Sequence, residues 1–213
     1  MKFRGKTETC HLAFPAIHER RAAKRAGVHF LFAILILCGV CAAKPQRIFG
    51  QRASAEYEVK AAYLYNFAKF VEWPAKAFPS DKSPIVLCVF GKDPFSGELE
   101  TTVLGKTMEG RAFETRHTNR VEELHVCQMV FVSDGEAKHI AEILAVVKDA
   151  PVLLVGESPK FAEDGGEIGF VLQDGKVHFA VNVDAVERAH LRVSSKLLSL
   201  AKIVHDDGTD KEN

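Results

Sequence analysis

The order of elements legible along the chain predicts a single-domain α/β fold. A mostly parallel sheet is flanked by helices in a Rossmann-like three-layer arrangement, and a C-terminal β-hairpin and a final helix follow. Three observations predict it. Short runs that are apolar at every position, such as Ile85–Phe90, suit strands covered on both faces, the habit of parallel sheets. Helical periods and turn residues lie between these runs, giving the alternation of an α/β chain. Near the end two β-rich runs flank Asp174-Gly175, a two-residue hairpin signal.

Each element has a local reason. Residues 44–53 are polar without a period and read as a flexible leader. Ser54 then offers an N-cap, and from Ala55 to Trp73 apolar residues recur three and four apart (Val59, Tyr63, Leu64, Phe67, Phe70, Val71), predicting a helix ended by Pro74. After the strand Ile85–Phe90, Asp93 as N-cap and Pro94 at the first helical position predict a short helix to about Leu104. The alternating run Arg111–Arg116 reads as an edge strand. Val130–Val132 is the next buried strand, followed by an amphipathic helix over Glu136–Val147 and a third buried strand over Val152–Val155. Ile168–Gln173 and Lys176–Asn182 form the hairpin. The rest, Val183 to Val204, reads as helical with a break near Leu191-Arg192-Val193. The domain thus spans 54–205, and residues 206–213 read as an acidic disordered tail.

The formal charge balances at 28 basic against 28 acidic residues over 213, which argues against a protein that coats nucleic acid, since that needs a basic excess. The balance conceals two unlike parts. Residues 1–43 hold seven basic and two acidic side chains (+5), leaving 21 − 26 = −5 on the remainder. A basic stretch, the apolar block Phe30–Val40 and the small residues Cys41-Ala42-Ala43 follow the order of a cleaved secretory signal, so residues 1–43 are read as a signal peptide cut near Ala43. Eleven apolar residues are too few to span a hydrocarbon core of about 30 Å as a helix. Of five cysteines, Cys10, Cys38 and Cys41 leave with the signal, and Cys88 and Cys127 remain. An even pair in an exported chain points to a disulfide, two buried free thiols being the alternative.

Catalytic patterns are missing. There is no Gly-x-Ser-x-Gly elbow, and Ser158 is followed by a proline where that elbow needs a helix. Gly91-Lys92-Asp93-Pro94 has one glycine and an acidic neighbour, a poor phosphate loop, while Gly165-Gly166-Glu167-Ile168-Gly169 leads into a strand. The mature histidines never take metal-ligand spacing. The expectation is a non-enzyme without cofactor or metal.

Three separated blocks carry a resemblance. The helix Tyr57–Pro74, the segment Gly165–Phe170 with Phe179–Asn182, and Leu191-Arg192-Val193-Ser194-Ser195-Lys196-Leu197-Leu198 stand in the order found in the YfiR/HmsC-like periplasmic family (DUF4154), which this chain resembles over nearly all of 55–204. The resemblance implies a periplasmic α/β protein that binds the periplasmic domain of an inner-membrane diguanylate cyclase and represses it. Cyclic-di-GMP signalling and biofilm formation would fall. An outer-membrane lipoprotein would compete for the repressor, and the protein would be a homodimer. It matches Cys88 and Cys127 to one disulfide of the relatives; a second bridge of some relatives would fall near Ala162 and Gly169 and is absent. It also implies a small aromatic or carboxylate ligand near the last helix, which Arg192 would grip bidentately, with Ser194, Lys176 and His178 as further candidates. Ser194 equally suits a helix cap, and Arg192 a structural ion pair. Exposed parts of the first helix and the loop Phe161–Gly166 are the candidate partner surfaces. The alternative from another class is a periplasmic small-ligand sensor serving a different membrane partner.

Overall fold

The computed structural model describes residues 47–206, with side chains from Ser54 onward; the predicted signal peptide and residues 207–213 lie outside the described residues. The chain runs α1 (Arg47–Phe70), β1 (Val71–Glu72), β2 (Ile85–Phe90), α2 (Glu98–Val103), β3 (Thr107–Met108), β4 (Arg111–Thr118), β5 (Met129–Val132), α3 (Ile140–Val146), β6 (Leu153–Gly156), β7 (Ile168–Gln173), β8 (Lys176–Asn182), α4 (Val183–Arg188), β9 (Arg192–Val193), α5 (Ser195–Leu198) and β10 (Lys202–Val204). Eight strands form one sheet in the order β10-β8-β7-β6-β5-β2-β4-β3, parallel except at β7–β8 and β3–β4. The predicted mixed α/β fold with a mostly parallel sheet is the observed one.

Strand periodicity sorts the core into two layers. Leu87 and Val89 of β2 face α1 and pack with Leu64, Phe67, Phe131 and Phe170, while Val86, Cys88 and Phe90 face the opposite side with Leu124, Val130, Ile143 and Leu154. All six residues of β2 are buried, as its unbroken apolar run requires. The segment after α1 is clasped to the sheet by Gln128. Its carboxamide oxygen accepts the Val86 N–H at 2.8 Å and its amide donates to Ala77 O at 2.7 Å, while Trp73 Nε1 donates to Gln128 O at 3.0 Å. No helix among the described residues is long and apolar enough to cross a membrane.

Several expectations need correction. The first helix begins at Arg47, so residues 47–53 are helical rather than a leader; only Gly50 there disfavours a helix, by about 1 kcal/mol. It ends at Phe70, before Pro74 acts, because Val71 and Glu72 pair antiparallel with Val193 and Arg192. Asp93 does not start a helix: its carboxylate accepts the Phe95 N–H at 2.8 Å in a local turn. The helix waits until Glu98 because Ser96 and Gly97 take φ of 54° and 92°. β4 is not quite the edge, since the two residues of β3 cover its first end. The amphipathic run Glu136–Val147 divides into a 3-10 turn over Asp134–His139 and α3. The predicted last helix is instead α4, β9, α5 and a short strand, β10, laid parallel to β8. Asp206, read as tail, accepts from Asn182 Nδ2 at 3.0 Å and pairs with Arg188. The hairpin appears as predicted, Asp174 and Gly175 both at positive φ (51° and 72°), the geometry of a type I′ turn.

Candidate functional site

Open α/β sheets bind ligands beyond the carboxyl ends of their strands, where the order of connections reverses. Here the chain leaves β2 toward β4 and then returns to β5 on the other side of β2, so the reversal lies between β2 and β5. The crevice is closed at its base by Ser133 Oγ, which donates to Lys92 O at 2.8 Å. Just beyond it, at the ends of β5 and β6, the first half of α1 lies over the sheet and carries an unexpected residue on its core stripe. Lys60 stands four residues before Leu64, on the face that buries Ala61, Leu64, Phe67 and Ala68, and is only 5% exposed.

A buried ammonium needs partners, and three lie within reach. Lys60 Nζ lies 2.6 Å from Glu157 Oε2 and 2.6 Å from Glu56 Oε1, and 4.6 Å from the centre of the Tyr57 ring. Glu157 follows directly on β6. Its other oxygen accepts from Tyr57 OH at 3.3 Å and from the Asp134 N–H at 3.2 Å, so one carboxylate ties α1, β6 and the turn after β5 together. Burial first, then the Glu157 carboxylate, holds the Tyr57 phenol well above its ordinary range, so it stays a neutral donor. These groups line a groove of about 280 Å³ with Asp134, Phe170, Leu172 and Val177. A neighbouring groove of about 900 Å³ opens between Val59 of α1 and the hairpin residues Leu172, Asp174 and Lys176. Sequence reasoning missed Lys60 and Glu157. The signal was a lysine in phase with the apolar stripe and a glutamate at the end of a fully buried strand.

The four sequence-predicted ligand residues do not share one cavity. Lys176 lines the larger groove, whereas His178, two residues on, is exposed in β8 opposite Val171. Arg192 is exposed in β9, its backbone register set by Glu72. Ser194 is the N-cap of α5: its hydroxyl accepts the Leu197 N–H at 3.3 Å and its own N–H donates to Phe70 O at 2.9 Å. Cys88 and Cys127 are joined in a disulfide with a Cα–Cα distance of 6.0 Å, linking β2 to the residue before Gln128. In the loop Phe161–Gly166, the other candidate partner surface, the apolar Phe161 and Ala162 are buried while Glu163 and Asp164 are exposed. Phe161 is 2% exposed and its ring lies against Gly156 and Gly166, where a Cβ on either would overlap it.

Glu167, in the glycine-rich segment, is 5% exposed. Its carboxylate accepts the Leu154 N–H at 2.8 Å, completing the β6–β7 junction where the backbone ladder stops at Val155. Burial pushes this carboxyl up to about 8, against the smaller opposing effects of the Leu154 N–H and the Arg188 charge. Between roughly pH 4.5 and 8 the folded protein therefore holds a proton that the unfolded chain has lost, and stability falls as pH rises through that window. Glu167→Gln is expected to remove this dependence and to unfold about 4 kcal/mol harder than wild type at pH 8, with little difference at pH 4.5, in urea titrations. Parallel pH profiles for the two proteins would refute it.

Two solved structures resemble the fold loosely. A conserved domain protein from Vibrio cholerae aligns at TM-score 0.45 and 11% identity over 67% of this chain and 59% of its own. The ABC domain in complex with L-Trp from Streptococcus pneumonia aligns at TM-score 0.41 and 11% identity over 61% and 57%. The chain thus spans less than two thirds of either, and likeness at this level carries no argument. A family model described as YfiR/HmsC-like (DUF4154) matches residues 57–202, from Tyr57 of the groove to the first residue of β10, and the chain belongs to that family.

Proposed function

We propose that the mature domain, exported and cut near Ala43, binds the periplasmic domain of an inner-membrane diguanylate cyclase and holds it inactive, lowering cyclic-di-GMP and biofilm formation. The family match over residues 57–202 is the observation that carries this reading. The mechanism is a population shift: a repressor that prefers the inactive conformation of the cyclase adds that preference to the inactive state. Moving a two-state equilibrium from mostly active to mostly inactive takes a preference of about 5.5 kcal/mol, within the reach of an ordinary protein interface. An outer-membrane lipoprotein that binds the same repressor would restore activity by mass action. Deleting the gene while a membrane cyclase from the same gene cluster is expressed should raise cellular cyclic-di-GMP, and unchanged cyclic-di-GMP would sink the reading.

A second reading, a periplasmic small-ligand sensor for another membrane partner, is favoured by the groove of about 280 Å³ at the carboxyl ends of β5 and β6, one strand over from the reversal between β2 and β5 where such sheets usually bind ligands. The two part on the protein captured with the repressor from cross-linked membranes. A cyclase supports the first reading, and a receptor or kinase without cyclase activity supports the second.

A further inference from the structure

Six large apolar side chains are prominently exposed among the described residues, and they are not evenly spread. Val59, Val171 and Leu172 gather where α1 meets the hairpin, while Leu104, Val126 and Leu200 lie apart from that groove. On the hairpin face that looks toward α1, the cross-strand pair Phe170–Phe179 belongs to the core, and the next pair outward on that face is Leu172–Val177. Leu172 is 59% exposed and Val59, across the groove, 44%. The apolar stripe of the core therefore continues into the groove as Leu172 and Val177, facing Val59 of α1.

The rim of the two adjoining grooves is acidic. Glu56, Asp134, Glu157 and Asp174 line it with Lys60 and Lys176, a net of 2 − 4 = −2; Lys60 neutralises one charge of the Glu56–Glu157 pair, and Asp134 and Asp174 stand against Lys176 alone. The same sign appears at the scale of the domain, where residues 44–213 carry 21 − 26 = −5. Charge complementarity then selects a basic occupant.

We propose that the groove between α1 and the β7–β8 hairpin is the surface that docks the cyclase, and that its occupant is an amphipathic segment of the cyclase's periplasmic domain with aliphatic anchors and a lysine or arginine beside them. The aliphatic anchors lie on Val59, Leu172 and Val177, and the basic side chain faces Asp174 and Glu56. This inference rests on the repressor reading given above. It deepens that reading by naming the face and the chemistry it selects.

The test measures binding of the chain purified from the periplasm to the immobilised periplasmic domain of the cyclase identified by the deletion experiment. Wild type is expected to bind. The double variant Val59→Asp/Leu172→Asp is expected to bind at least about 100-fold more weakly, since two central apolar contacts are replaced by buried charge. Leu104→Asp and Leu200→Asp, apart from the groove, should bind as wild type does. Asp174→Asn, which keeps a residue tolerant of the left-handed turn conformation, should weaken binding several-fold at low salt and less at high salt. All altered side chains are exposed, and matching thermal melts would show that the variants fold.

If wild type binds and the double variant binds equally well, the surface is elsewhere and the repressor reading survives. If the double variant binds the cyclase normally but sediments as a smaller species, the groove belongs to a second copy of this chain and the proposal is overturned. If wild type captures no cyclase domain, the repressor reading fails and the docking proposal falls with it.

Discussion

Lys60→Met is expected to destabilise the domain by about 3–5 kcal/mol, because it leaves the Glu157 carboxylate buried without its cation. Glu157 would keep the Tyr57 hydroxyl at 3.3 Å and the Asp134 N–H at 3.2 Å, long contacts that satisfy one oxygen only. The reciprocal change is milder. Glu157→Gln leaves Lys60 paired with Glu56 at 2.6 Å, on the more open side of the groove, so it should cost about 1–2 kcal/mol. The double variant Lys60→Met/Glu157→Gln removes both charges and should recover much of the loss of the single lysine change. Urea unfolding of the three variants beside wild type checks this. A double variant that loses the sum of the two single losses would mean that the pair is not the buried, coupled unit described.

That pair also marks the limit of what could be read from the chain. Strand runs such as Ile85–Phe90 and the hairpin around Asp174-Gly175 were legible because their causes are local, a two-residue period and a turn that needs positive φ. Element ends were not, because distant backbone decides them. Phe70 ends α1 where Arg192 and Val193 supply a pairing partner some 120 residues later. The last segment, helical by pattern, becomes β10 because Lys202, Ile203 and Val204 find the free side of β8. Of the predicted site residues, Ser194 could be recognised as a cap from its place before a helical run. Lys60 and Glu157 lie 97 residues apart, and each alone looks like an ordinary surface charge. Only the phase of Lys60 within the apolar stripe signals that it is buried.

Removing the disulfide is the second change expected to have a large effect. Cys88 and Cys127 close a loop with a sequence separation of 39, for which the chain-entropy model gives about 4 kcal/mol of stabilisation through the unfolded state. Cys88 sits in the middle of β2, between its register partners Arg116 and Val130, and Cys127 precedes Gln128, whose carboxamide holds both Val86 and Ala77. Cys88→Ala/Cys127→Ala removes the cross-link without stranding a buried hydroxyl, and should be less stable than wild type under oxidising conditions by about 2–4 kcal/mol. Reductant should bring wild type down toward the double variant and leave the variant unchanged, which separates the bond itself from the loss of two buried sulfurs. Equal stability of wild type with and without reductant, under conditions where thiol titration shows the bond to be open, would show that the bridge records the folded geometry without holding it.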